Sequence, residues 1–257
     1  MAIVPDRGFE HDGGMTSRHL TAGYSAAQIR EAERPLLDAG VPLMARAAAG
    51  LAAVVREVLS ARPSGTARLV VLAGSGSNGG DALLAAAELL GDGCTAVVVP
   101  LGGRIHEAGL AAAVAAGAEV LHPVDPEAAA RIAAGADVVL DGVLGTGAAS
   151  SPALRSPARE VVEGLLPVVG GDGPVVVAVD LPSGVGADDG AAPGPVLPAA
   201  VTVTFGAVKA GLLLPPGRDL AGSVHLVDIG LGPGLRGHRP LVPSGGPPGT
   251  VQVAVGS

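Results

Sequence analysis

The chain is 257 residues long, 48% hydrophobic and only 1% aromatic, with a formal net charge of −8. That length supports one sizeable core filled by Ala, Val and Leu, and the acidic balance and scarcity of aromatic platforms disfavour nucleic acid as a partner. A lone Cys94 can form neither an internal disulfide nor a cysteine metal cluster, which suits a reducing compartment.

Residues 1–22 mix Gly, His and charge without periodicity, which predicts a disordered leader. They contain no apolar signal core, and no later apolar run is long enough to cross a bilayer without Gly, Pro or charge. The expectation is therefore a cytoplasmic protein with no membrane partner. Ser25 with Gln28 three residues on forms a capping-box pattern that opens a helix, which Pro35 is expected to kink or divide. A second helix runs from about Leu43 to Leu59, where Leu43, Ala47, Leu51, Val54, Val55 and Val58 recur at helical spacing.

Apolar runs at 69–73, 95–99, 118–121, 137–141, 175–180 and 200–205 then alternate with Ala-rich stretches of helical length, and a final strand is expected at 223–228. Near-continuous apolar strands such as Leu69-Val70-Val71-Leu72 predict a mostly parallel sheet covered on both faces, a three-layer α/β/α Rossmann-like fold. The domain is predicted to span 23–235. Beyond it, 236–257 is rich in Pro and Gly and reads as a flexible tail.

Ligands of such a sheet bind outside the carboxyl ends of the strands. Three segments there carry polar residues: Gly74 to Asp81, Asp141 to Gly147 and Asp180 to Gly184. The first fits G-x-G-x-x-G, whose glycines permit close backbone approach and expose N–H groups at a helix N-terminus. The next strand ends Val99-Pro100-Leu101 without the ribose-binding acid of a dehydrogenase, and only Arg104 could meet a 2′-phosphate, so an NADP-dependent oxidoreductase is a weaker alternative. A degraded nucleophile elbow at Ser77, with Asp180 and His225 as partners, is weaker still, because His225 alternates with apolar neighbours as a strand-face residue does. The loop also lacks the Gly-Lys-Ser/Thr of a P-loop.

Taken together, Gly76-Ser77-Asn78-Gly79-Gly80-Asp81, Asp141-Gly142-Val143-Leu144-Gly145-Thr146-Gly147 and Asp180-Leu181-Pro182-Ser183-Gly184-Val185 resemble the signatures of the YjeF N-terminal domain, the NAD(P)H-hydrate epimerases. The stretch Thr202 to Gly211, with Leu214-Pro215-Pro216-Gly217, is similar to that family's strand and lysine loop, so the likeness runs from about Tyr24 to Leu231. The resemblance implies equilibration of the R and S forms of NADHX and NADPHX, so that a separate dehydratase specific for one form can restore the pool. It further implies a homodimer and a potassium ion held by Asn78, Asp141 and Ser183. An oxygen-only set of low charge suits a weakly bound monovalent cation.

Substrate contacts are implied for Ser77, Asn78, Gly79, Gly80, Asp81, Gly145, Thr146, Gly147, Ala148, Ala149, Ser150, Ser151 and Asp180. Asp180 is the expected general acid and base, and Lys209 is a second catalytic candidate, as a charge partner for a phosphate or for Asp180. The helix segment Leu43-Met44-Ala45-Arg46-Ala47-Ala48 lacks the family's acidic residue at Ala45, which keeps open a non-catalytic binding or scaffold module on the same fold.

Overall fold

Every apolar run marked by the sequence becomes a strand. The computed structural model describes residues 22–62, 65–147, 151–243 and 251–255, so the predicted leader lies, except for Ala22, outside the described residues. Helix α1 (Ala26–Asp38) opens on the expected box: Gln28 N–H donates to Ser25 Oγ at 3.1 Å, and Ser25 N–H donates to Gln28 Oε1 at 3.0 Å. Pro35 does not break α1 as expected. It removes a single N–H near the helix end, and Ala39 N–H donates to the Pro35 carbonyl at 3.1 Å to close the last turn. The chain turns at Gly40, with φ +73°, into α2 (Leu43–Ser60), which leaves α1 at 115°.

There follow β1 (Arg68–Ala73), α3 (Ser77–Gly91), β2 (Thr95–Pro100), α4 (Glu107–Ala115), β3 (Glu119–Val120) and α5 (Pro126–Ala134). The second half holds β4 (Val138–Gly142), α6 (Ala158–Leu165), β5 (Val175–Val179), β6 (Val201–Phe205), the single-turn α7 (Gly217–Leu220), β7 (Ser223–Asp228), the single-turn α8 (Gly232–Leu235) and β8 (Val251–Val255). All pair in parallel in one eight-stranded sheet, ordered β3-β2-β1-β4-β5-β6-β7-β8. No single helix among the described residues is long and apolar enough to cross a membrane.

Strand alternation sends Val71, Leu140, Val177 and Val203 to one face, against Leu51 and Val55 of α2 and Leu83 and Leu89 of α3. Val70, Leu72, Val139 and Val176 face the other side, against Ala129 of α5 and Val161 and Leu165 of α6. Helices cover both faces, which is the three-layer arrangement the continuous apolar strands require. The small side chains let α3 lie close over β1 and β4.

The segment read as a flexible tail departs from expectation. Val251-Gln252-Val253-Ala254-Val255 pairs along β7, from Val224↔Val251 to Asp228↔Val255. This short β-branched run finds its ladder partners on the open edge of β7, a signal hidden in the sequence by flanking Pro and Gly. The ordered body also passes 235, because Gly23 and Val242 exchange backbone hydrogen bonds at 2.8 and 3.1 Å.

Strand order reverses at β1. From β1 the chain proceeds outward to β2 and β3, then returns on the other side to β4. The chain therefore leaves β1 and β4 toward helices on opposite faces, α3 and α6, the switch point at which such sheets bind ligands.

Candidate functional site at the switch point

The two loops interlock through glycines. Gly74 N–H donates to the Gly142 carbonyl at 3.0 Å, and a Cβ on Gly74 would overlap the Val143 carbonyl. A Cβ on Gly79 would overlap the Gly74 carbonyl, and one on Gly145 the Asn78 amide. These glycines serve packing. Gly76 does not: a Cβ there meets nothing within 4 Å, and its φ of −93° is open to any residue. It is the N-cap of α3 and offers no side-chain cap, so the first-turn N–H groups lie open toward the exposed Ser75-Gly76-Ser77 turn.

Beneath this turn Asn78, Asp141 and Ser183 converge from three segments. Asn78 Nδ2 donates to the Val179 carbonyl at 2.6 Å and the Leu144 carbonyl at 3.4 Å. Ser183 Oγ accepts the Leu144 N–H at 2.8 Å, and Ser183 N–H donates to Asp141 Oδ2 at 2.8 Å. Asp141 is fully buried and its Oδ1 has no hydrogen-bond partner among the described residues. Burial raises its carboxyl pKa, against the hydrogen bonds from Ser183 and Val143. The result is a cluster of oxygen donors with one carboxylate oxygen unpartnered among the described residues, a donor set that fits a monovalent cation.

A second cluster lies beside it. Asp180 takes a left-handed backbone, φ +70°, which a non-glycine residue adopts at a cost of about 1–3 kcal/mol. That conformation carries the carboxylate over the end of β6, where Asp180 Oδ1 accepts from Thr204 Oγ1 at 3.1 Å and Phe205 N–H at 3.4 Å. Lys209 forms an ion pair with the same oxygen and donates to the Phe205 carbonyl at 2.9 Å. Both residues are buried, Asp180 at 4% and Lys209 at 2% exposure. Tyr24 clamps the lysine segment by accepting the Ala210 N–H at 2.9 Å and donating its own N–H to the Val208 carbonyl at 2.8 Å. Of the two roles expected for Lys209, the structure shows the partner of Asp180.

Asp81 completes the cluster from α3. It is 5% exposed, its Oδ1 has no partner among the described residues, and its pKa is pushed up to about 8. Burial is the main cause. The negative charges of Asp180 and Glu33 add to it, and Lys209 opposes. Glu33 itself is raised by burial and by Asp180, against Lys209 and Arg30. Asp81 borders a cavity of about 160 Å³ whose walls include Glu33, Met44, Ser77, Phe205 and Ile229. A larger recess of about 690 Å³ lies at the opposite end of the sheet, where Arg62 pairs with Asp137 at 3.4 Å, and contains none of these residues.

The other predicted contacts are dispersed. Gly80 packs against His106 and Met44. Thr146 accepts from Arg30 Nη1 at 3.0 Å, and Gly147 and Ser151 are exposed on the loop after β4. Ala148, Ala149 and Ser150 lie outside the described residues. His225 is half-buried in β7 beside Val203, on the face covered by α2, and burial lowers its pKa; it is a strand-face residue, as expected. The acid missing at Ala45 falls on an exposed position, outside the cavity lining. Glu33 was missed by sequence reasoning. Only its place beside Ile29 and Ala32, on the buried face of α1, could have pointed to it.

Residues 41–211 match the family model described as YjeF-related protein N-terminus. The chain is 56% identical over 227 residues to the NAD(P)H-hydrate epimerase of Clavibacter michiganensis subsp. michiganensis, covering 87% of this chain and 96% of that protein. It is 48% identical to the epimerase of Microbacterium testaceum, over 88% of this chain and 85% of the relative. The Bifunctional NAD(P)H-hydrate repair enzyme Nnr of Mycobacterium leprae is 41% identical over 81% of this chain, which covers 41% of that longer protein. Among solved structures, yeast ynu0 shares the fold, with a TM-score of 0.63 at 23% identity, over 74% of this chain and 82% of that one. With the switch-point loops, the paired carboxylates and these relatives in agreement, the chain belongs to the YjeF-related protein N-terminus family.

Proposed function

We propose that the protein is an NAD(P)H-hydrate epimerase, interconverting the R and S forms of NADHX and NADPHX. The observation that carries this reading is a pair of buried carboxyl groups, Asp81 and Asp141, each with an oxygen unpartnered among the described residues, set at the switch point near a helix N-terminus without a side-chain cap. A scaffold module has no use for such groups, because burying a polar atom without a hydrogen bond costs about 1–3 kcal/mol. A substrate or ion that supplies the missing partners explains them.

The substrate carries its hydroxyl at C6, next to the ring nitrogen, so the nitrogen lone pair can expel it as water and water can return on the other face. The open N–H groups of α3 and the exposed Ser77 suit the pyrophosphate. Asp180, ion-paired with Lys209, accepts a proton from the incoming water, which becomes strongly acidic as it bonds to the electron-poor carbon. Such proton transfer contributes ~10²–10⁴-fold. Asn78, Asp141 and Ser183 would hold a potassium ion, which supplies a fixed positive charge and joins the three loops. A homodimer acting in the cytoplasm beside a separate dehydratase completes the reading.

The test is conversion of the pure R epimer, followed by chromatography with and without potassium. S epimer should appear far faster than in buffer, and Asp141→Asn should lose any response to potassium. No acceleration by the wild-type protein refutes the reading.

A further inference from the structure

We propose that Asp81 is a second catalytic residue: a carboxyl held protonated at the cavity wall, which donates its proton to the departing C6 hydroxyl while Asp180 serves the water that replaces it. This rests on the epimerase reading and assigns a role that reading leaves open. Inversion at C6 gives such a residue a use. If water leaves and returns on one face, the original epimer is regenerated, so each face needs its own proton partner. One must begin protonated and the other ionised.

The structure gives the two carboxyl groups different surroundings. Asp180 Oδ1 receives Thr204 Oγ1, the Phe205 N–H and the Lys209 ammonium. Asp81 Oδ1 has no hydrogen-bond partner among the described residues. Two further carboxyl groups bear on Asp81, Glu33 from α1 and Asp180 from the turn after β5. Among the described residues the cation that acts on it is Lys209, whose ammonium is already engaged by Asp180 and the Phe205 carbonyl. The other walls are uncharged: Met44 from α2 and Phe205 from β6. His106, at the N-cap of α4, uses Nδ1 to accept the Gly109 N–H at 3.0 Å. Arg46 of α2 turns its guanidinium to the Ile229 carbonyl at 3.0 Å. A proton on Asp81 removes a repulsive third charge from this cluster, and the cavity beside it gives that proton an outlet to a ligand.

The step balances. The C6–O bond breaks as Asp81 transfers its proton to the leaving oxygen, and the ring-nitrogen lone pair forms a C6=N double bond. Water then bonds to the opposite face, the electron pair returns to nitrogen, and Asp180 takes the proton. Nothing is oxidised or reduced. The enzyme is left with Asp81 ionised and Asp180 protonated, the form that serves the reverse conversion, and proton exchange with solvent resets it.

The test compares wild type with Asp81→Asn, which is nearly isosteric with the protonated acid, in R-to-S progress curves across pH. The variant should lose ~10²–10³-fold in kcat with little change in KM. The wild-type rate should fall as pH rises through about 8, and this alkaline limb should be absent from the variant. A second readout needs no variant: in wild-type protein labelled with ¹³C at aspartate Cγ, one carboxyl resonance should titrate near pH 8. A folded Asp81→Asn protein with wild-type kcat and an unchanged alkaline limb overturns the proposal while the epimerase reading stands, and so does a spectrum with no aspartate titrating in that range. Failure of wild type to convert the substrate overturns both.

Discussion

Replacing Asp81 with Asn should change the pH dependence of stability as well as turnover. The Asp81 carboxyl is raised from 3.8 to about 8, so between those values the native protein holds a proton that the unfolded chain releases. Its contribution to stability is therefore complete below about pH 4 and is lost progressively as pH rises to about 8. Each pH unit is worth about 1.4 kcal/mol, which sets a ceiling of about 5–6 kcal/mol across the window. Local relaxation and water entry reduce this to an expected ~2–4 kcal/mol. Asn cannot ionise, so the stability of the variant relative to wild type should grow from about pH 5 to 8 and then level off. An unpaired amide donor at Asn adds a constant penalty of about 1–3 kcal/mol and leaves the slope untouched. Urea unfolding at fixed temperature over a pH series reads the difference directly, since every other titrating group is common to both proteins. Parallel stability curves would refute the reasoning.

Two further substitutions probe the rest of the site. Lys209→Met strands the buried Asp180 carboxylate beside Asp81 and should cost about 3–5 kcal/mol. Adding Asp180→Asn should recover part of that loss, and strict additivity in the double-mutant cycle would show the two residues uncoupled. The glycines should divide by role: Gly74→Ala forces a Cβ into the Val143 carbonyl and should destabilise by about 1–3 kcal/mol or more. Gly76→Ala, whose Cβ meets no protein atom, should cost only about 0.5–1 kcal/mol as a poorer N-cap, and should raise KM for NADPHX if the turn meets the pyrophosphate. An equal loss of Tm in both would remove the distinction.

The fold was legible because its signals are local. Apolar runs such as Leu69-Val70-Val71-Leu72 and Val175 to Val179 are short, β-branched and bounded by turn residues, so seven of the strands could be marked before any contact was known. The polar residues after β1 and β5 were legible for the same reason, since an open parallel sheet presents ligands to its strand ends. Strand β8 was not legible, because its pairing depends on the free edge of β7 and not on the Pro- and Gly-rich sequence around it. Nor was the passage of α1 through Pro35, which depends on how much helix follows the missing N–H. The sequence named Asp81, Asp180 and Lys209 but not Glu33, and it could not show that the Asp81 carboxyl is pushed up to about 8. That shift required the tertiary structure, because it is set by burial and by charges brought together from segments far apart in the chain. The same sequence that marks Asp180 as the expected acid and base is folded so that Lys209 pairs with its Oδ1, while burial and neighbouring charge raise the Asp81 carboxyl.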